Sequence, residues 1–232
     1  MEKRNVLKFG FLSLAVLASA CFAPSASASV IGHLNFVNCD GGGVTVTMTT
    51  VTWLPVASVG TGCIAAGVTT NVTFDSGSIV PAEHGTINNL APLSGNTGFI
   101  SFTGVAFDAG LIGPGVGNLA CSSVNAPGPS CSVVANSPFI LTPGDAGTVI
   151  TLGVSGLARD ASSTNSPWTG IFSTQIDHVA PATIQADFLA AGSFTATYSF
   201  DGNVGIPEPV SLALIGGGLV ALAGLKRRKA RS

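Results

Sequence analysis

The sequence predicts an all-β body: an antiparallel two-sheet sandwich, of jelly-roll or immunoglobulin-like order, with one short helix and then a C-terminal transmembrane helix. Three observations predict it. From Val44 to Trp53 apolar and hydroxyl side chains alternate with period two, the pattern of a strand with one buried face. Similar short segments recur, each bounded by Gly, Pro, Asn or Asp, with no repeat of fixed length that would indicate a solenoid. Near the C-terminus an apolar run from Val210 to Leu225 separates a proline-containing break from a basic cluster.

Residues 1–28 have the form of a secretory signal peptide. Lys3, Arg4 and Lys8 supply the basic start, Phe9 to Ala20 the apolar stretch, and Ala26-Ser27-Ala28 a small-x-small cleavage site. Cleavage after Ala28 predicts Ser29 as the first mature residue. A competing signal is Ala18-Ser19-Ala20-Cys21, which resembles a lipoprotein leader with Cys21 as the lipidated residue.

The body, residues 29–204, is long enough for one domain with its own core. Besides Val44–Trp53, which follows the turn Asp40-Gly41-Gly42-Gly43, strands are expected at Val30–Val37, Thr69–Phe74, Gly85–Asn89, Phe99–Phe107, Ser132–Ala135, Phe139–Thr142, Thr148–Leu157, Gly170–Ile176 and Ser193–Phe200. Phe99–Phe107 is apolar on both faces in places, which predicts a central strand. Pro181–Ala191 departs from the pattern. It is Ala-rich, its Ile184 and Phe188 stand four apart, and Gly192 lies where a C-terminal cap belongs, so a short helix covering an end or edge is expected. Asp201–Gly205 is expected to be a brief linker.

Charge is partitioned sharply. Arg159 is the one Lys or Arg in the body, against Asp40, Asp75, Glu83, Asp108, Asp145, Asp160, Asp177, Asp187 and Asp201, a formal net charge of −8. A surface with a single cation cannot neutralise a run of phosphates, which excludes nucleic acid as a partner. Four cysteines remain in the mature body: Cys39, Cys63, Cys121 and Cys131. An even number in an exported chain predicts two disulfides. Three pairings exist, and sequence proximity favours Cys39–Cys63 and Cys121–Cys131.

The chemistry-bearing residues are sparse. The histidines are His33, His84 and His178, and no G-x-S-x-G elbow accompanies them. The single Glu of the body argues against the paired acids of a glycoside hydrolase. No C-x-x-C or compact D-x-D-x-D array is present, so no metal or other cofactor is expected; Asp residues at loop tips leave Ca²⁺ as the one candidate ion. Trp53, Trp168 and Tyr198 are candidates for a sugar-stacking platform, with core positions as the alternative. The expectation is that the chain is not an enzyme.

Residues 205–232 carry the most specific signal. Pro207-Glu208-Pro209 cannot lie in a helix interior, because each proline removes a donor and restricts the residue before it. The apolar run 210–225 would reach ~24 Å as a helix, against a hydrocarbon core of ~30 Å. Lys226, Arg227, Arg228, Lys229 and Arg231 then act as a stop that stays in the cytoplasm. This order of parts resembles the sorting signal of PEP-CTERM proteins. The resemblance implies that an exosortase-type membrane transpeptidase recognises Pro207, Glu208 and Pro209 and cleaves near them. It also implies a transient stay in the inner membrane through the C-terminal helix, followed by transfer to the cell surface or extracellular matrix. Residues 166–175, the expected helix and residues 192–200 are together similar to the end of a recurring class of PEP-CTERM ectodomains, which implies no activity. The body is then expected to be a structural or adhesive component of surface or biofilm matrix. A module that binds extracellular polysaccharide is the alternative, and a secreted hydrolase the third possibility.

Overall fold

The computed structural model describes residues 30–39, 42–54, 56–58, 61–90, 93, 96–162 and 165–205. Among these, sixteen strands and one helix form in the order β1 (Gly32–Asn38), β2 (Gly43–Thr47), β3 (Val51–Leu54), β4 (Val56–Ser58), β5 (Thr61–Ala66), β6 (Val72–Phe74), β7 (Gly77–Ile79), β8 (His84–Asn88), β9 (Asn96–Phe102), β10 (Val105–Ile112), β11 (Cys131–Ser132), β12 (Phe139–Gly144), β13 (Gly147–Arg159), β14 (Ser166–Asp177), α1 (Pro181–Ala191), β15 (Ser193–Ala196) and β16 (Ser199–Val204).

Eight of the strands run β10-β9-β8-β5-β1-β16-β14-β13, and β13 pairs back onto β10. Every pairing is antiparallel, so the sheet closes into a barrel. The two-sheet sandwich expected from the sequence is therefore wrong. Period-two alternation states that each strand has a buried and an exposed face, and both architectures satisfy it. The seam from Ala106↔Arg159 to Ile112↔Val154 decides between them, and no local pattern encodes that pairing. Among the described residues no helix is long and apolar enough to cross a membrane; the expected membrane helix, 210–225, lies outside them.

Among the described residues large inward rings are matched across the barrel by missing side chains. Phe36, Ile64, Ile87, Ile100, Phe107, Trp168 and Phe200 point inward and are buried. Gly170 and Gly202 face each other across β14 and β16. The Phe200 ring occupies the space above both, and a Cβ on Gly202 would stand 2.7 Å from it. Phe36 stacks on the other side of that ring at 4.6 Å. This alternation of large and absent side chains fills the interior to the density of a core.

Each end is closed. The β6–β7 hairpin touches the start of β1 through the Ile31↔Thr73 bridge. Its Asp75 N–H donates to Asp160 just beyond β13 (3.1 Å). Val30, Val72 and Ile79 are buried there. At the opposite end β13 and β14 run on past the barrel, and the first half of β13 takes β12 as its partner. A three-stranded sheet, β15-β2-β3, also belongs to the molecule. Trp53 ties it to the barrel: its indole N–H donates to the Asn88 carbonyl at 3.0 Å, and its backbone N–H to Asn89 Oδ1 at 2.9 Å.

The helix forms with the expected bounds. Pro181 opens it, and Gly192 closes it in the left-handed region (φ 72°), its N–H reaching the Phe188 carbonyl. Ile184 and Phe188 are buried. Five expected elements differ. Of Ser132–Ala135 only Ser132 is in a strand, the end of β11, and 133–135 form a bend and turn. Val44–Trp53 is two strands, β2 and β3, turning at 48–50. Phe99–Phe107 is the β9–β10 hairpin, turning at Thr103-Gly104 with Gly104 at φ 83°. Ser193–Phe200 divides between β15 and β16, which belong to different sheets. Asp201–Val204 is the body of a central stave and not a linker.

Candidate functional site

Among the described residues the ionisable side chains gather in three places. The first lies on the outside of the barrel seam. Gly98 (φ 62°) sits at an irregularity between β9 and β10, and its N–H donates to Asp108 Oδ1 at 2.6 Å. Arg159 Nη2 donates to the same oxygen at 2.7 Å, and its Nε lies 2.6 Å from Oδ2. The hydrogen bond to Asp108, and then its charge, holds the Arg159 guanidinium above its ordinary pKa. The Asp108 backbone carbonyl accepts the Trp168 indole N–H from inside the barrel at 2.9 Å. The single cation of the body thus braces the seam, where no reacting group faces it.

His33 and Asp201 form the second place. Nε2 stands 3.0 Å from Asp201 Oδ2, and Nδ1 stands 3.2 Å from the Thr69 carbonyl oxygen. A base of the Ser/His/Asp kind needs one ring nitrogen free to take a proton from a hydroxyl. Here both nitrogens face oxygens that only accept. The arrangement fastens the 67–70 turn to the barrel wall, and it does not activate a nucleophile.

The third place is a corner on the outer face of β1, β5 and β8. Cys39 is bonded to Cys63, and His84 Nδ1 stands 3.5 Å from Cys39 Sγ and 3.8 Å from Cys63 Sγ. These three side chains bring potential metal-ligand atoms within 4.8 Å of one another. Only a thiolate is a metal ligand, and a disulfide leaves His84 as the one available donor. The Cys39–Cys63 pair is expected from the sequence but His84 beside it is not, because position 84 reaches the bridge only through strand pairing. Among the described residues no three carboxylates converge in this way.

The second disulfide, Cys121–Cys131, closes the loop beside α1. Gln185 on that helix donates to the carbonyls of Leu119, Ser132 and Val133. The aromatic candidates are core: Trp53, Trp168 and Tyr198 are at most 5 % exposed, so they present no platform to a sugar. Glu83 caps a turn by accepting the Val80 N–H at 3.3 Å, and His178 occupies a turn at φ 60°. The sorting residues Pro207, Glu208 and Pro209, the basic cluster Lys226–Arg231 and the cleavage site Ala28-Ser29 lie outside the described residues.

A small apolar hollow of ≈ 30 Å³ lies between the three-stranded sheet and β12–β14, lined by Val46, Trp53, Phe139, Leu152, Phe172 and Tyr198 among others. It has room for about one or two waters and too little for a sugar ring. The Tyr198 hydroxyl is buried without a hydrogen-bond partner. An unpaired buried hydroxyl costs about 1–3 kcal/mol, so Tyr198→Phe is expected to leave stability unchanged or raise it by about 1 kcal/mol in urea unfolding. Burial also pushes the phenol pKa up. The sign follows. Below about pH 10 both states keep the proton and the contribution is fully present. Above that the unfolded phenol ionises first, so stability falls as pH rises towards the raised folded value. Tyr198 is the only tyrosine, so phenolate absorbance reports it alone. That absorbance is expected to appear only with alkaline unfolding, and a folded protein titrating near pH 10 would contradict the burial.

Compared with protein-family models, with curated proteins and with solved structures, the chain matches none significantly.

Proposed function

We propose that this is an exported, non-enzymatic structural component of the cell surface or extracellular matrix, sorted through its C-terminus by an exosortase-type transpeptidase. The observation that carries the proposal is the order Pro207-Glu208-Pro209, apolar run 210–225 and basic cluster Lys226–Arg231 at the C-terminal end. The apolar run would hold the chain in the inner membrane and Glu208 would be the carboxylate the transpeptidase recognises. Two disulfides are consistent with an oxidising compartment, and so with export. The inward-packed rings of Phe36, Phe107, Trp168 and Phe200 support a scaffolding role for the barrel. Its low charge supports a hydrated, weakly interacting surface.

The test is mass spectrometry of the protein from its native cell. The expected mature form starts at Ser29 and ends near Glu208. Glu208→Ala is expected to abolish C-terminal processing, so that the intact tail accumulates in the membrane fraction. A variant that reaches the surface with the parent's mature mass would overturn the sorting proposal.

A further inference from the structure

We propose that the Cys39–Cys63 bridge is a thiol-exchange site, at which an external thiol becomes covalently attached and His84 supplies the proton to the departing sulfur. Exchange requires access to a sulfur and a means of stabilising the thiolate that leaves; Cys121 is partly buried as Cys39 and Cys63 are, so the two disulfides differ chiefly in the second. Cys131 is completely buried, and the loop it closes is held by Gln185 of α1. Cys39 and Cys63 are half-buried on the outer barrel wall, and His84 beside them is exposed. Cys63 and His84 lie on adjacent staves, two residues out of register. His84 Nδ1 is nearer Cys39 Sγ (3.5 Å) than Cys63 Sγ (3.8 Å), which selects Cys39 as the leaving sulfur.

The step balances without an oxidant. A thiolate, of glutathione or of a partner's cysteine, attacks Cys63 Sγ. A new sulfur–sulfur bond forms there as the Cys39–Cys63 bond breaks, and its electron pair leaves on Cys39 Sγ. The His84 N–H protonates that sulfur. The product is a mixed disulfide at Cys63 and a thiol at Cys39, which can expel the adduct by the reverse step. The other ionisable neighbours are Glu83, whose carboxylate is held by the Val80 N–H, and Asp40, which lies outside the described residues. Ala65 and Thr86 beside the ring are uncharged.

The test uses the full chain in detergent with both disulfides intact, exposed to reduced glutathione without oxygen. Free thiols are trapped by alkylation and the sites mapped by mass. Expected are adducts at the Cys39/Cys63 pair forming roughly tenfold faster than at Cys121/Cys131. His84→Gln is expected to slow the first rate roughly fivefold and leave the second unchanged. The side chain is exposed, so the unchanged second bridge also verifies that the variant is folded. Equal rates at the two bridges, or a His84→Gln protein that reacts like the parent, would overturn the proposal.

Discussion

Phe172→Ala is expected to remove about 4 kcal/mol of stability, which would leave a domain of this size with little margin. Phe172 stands in the middle of β14, opposite Leu152 on one side and Phe200 on the other. Its ring lies 4.9 Å from Trp53 and 4.8 Å from Phe200, centroid to centroid, and 5.9 Å from both Phe36 and Phe99. It therefore belongs at once to the barrel interior and to the apolar layer under the three-stranded sheet. Truncation opens a cavity at the junction, and the rings around it are already fixed by other neighbours, so collapse is limited. Each lost ring pair adds about 0.5–1.5 kcal/mol to the area term. Urea unfolding followed by tryptophan fluorescence reads the change directly, since Trp53 reports on that junction. A loss under about 2 kcal/mol would mean that the two layers do not share a core there. Phe172→Leu, which keeps most of the volume, is expected to cost less than half as much.

Gly156→Ala is expected to be nearly as damaging, although it adds one methyl group. Gly156 pairs with Ala109 across the β10–β13 seam. A Cβ there would overlap the backbone carbonyl oxygen of Asp108 and stand 3.0 Å from the Gly110 nitrogen. Backbone cannot rotate out of the way as a side chain can. That carbonyl is also the acceptor for the Trp168 indole, so moving it leaves a buried N–H without a partner. Overpacking and the lost hydrogen bond together should cost about 3 kcal/mol or more. Hydrogen exchange offers the sharper test: amides of β10 and of the second half of β13 should lose protection before those of β1 and β16. Gly153 lies on the same strand with open space where a Cβ would go, so Gly153→Ala is the control and should change stability by less than about 1 kcal/mol.

What was legible in the sequence was whatever is local. The helix could be placed from Pro181, the Ile184/Phe188 pair and Gly192, because its caps and its buried face lie within twelve residues. The disulfide partners followed from proximity because each links segments that turn back on themselves. Most strands were found, since alternation is a property of each strand alone. The hairpin turn at Thr103-Gly104 is not legible because a segment apolar on both faces in places outweighs one glycine, whose φ of 83° is visible only in the fold. Asp201–Val204 was misjudged for the opposite reason. Asp, Gly and Asn there suggest a loop, yet Gly202 is required beneath the Phe200 ring, and Asp201 and Asn203 point outward. The barrel itself, the His33–Asp201 pair and the His84 corner depend on registers between distant strands, which single-sequence periodicity does not carry.

The position of β16 has a consequence for biogenesis. It fills the gap between β1 and β14, bonded along six registered pairs to each. A chain synthesised N-terminus first has every stave except that one before residues 199–204 are made. Up to then the staves can form at most an open sheet that cannot circularise, and the widest contacts, which join positions more than 160 residues apart, are the last available. The order of staves therefore makes circular closure the last step of folding, set by when residues 199–204 become free to pair.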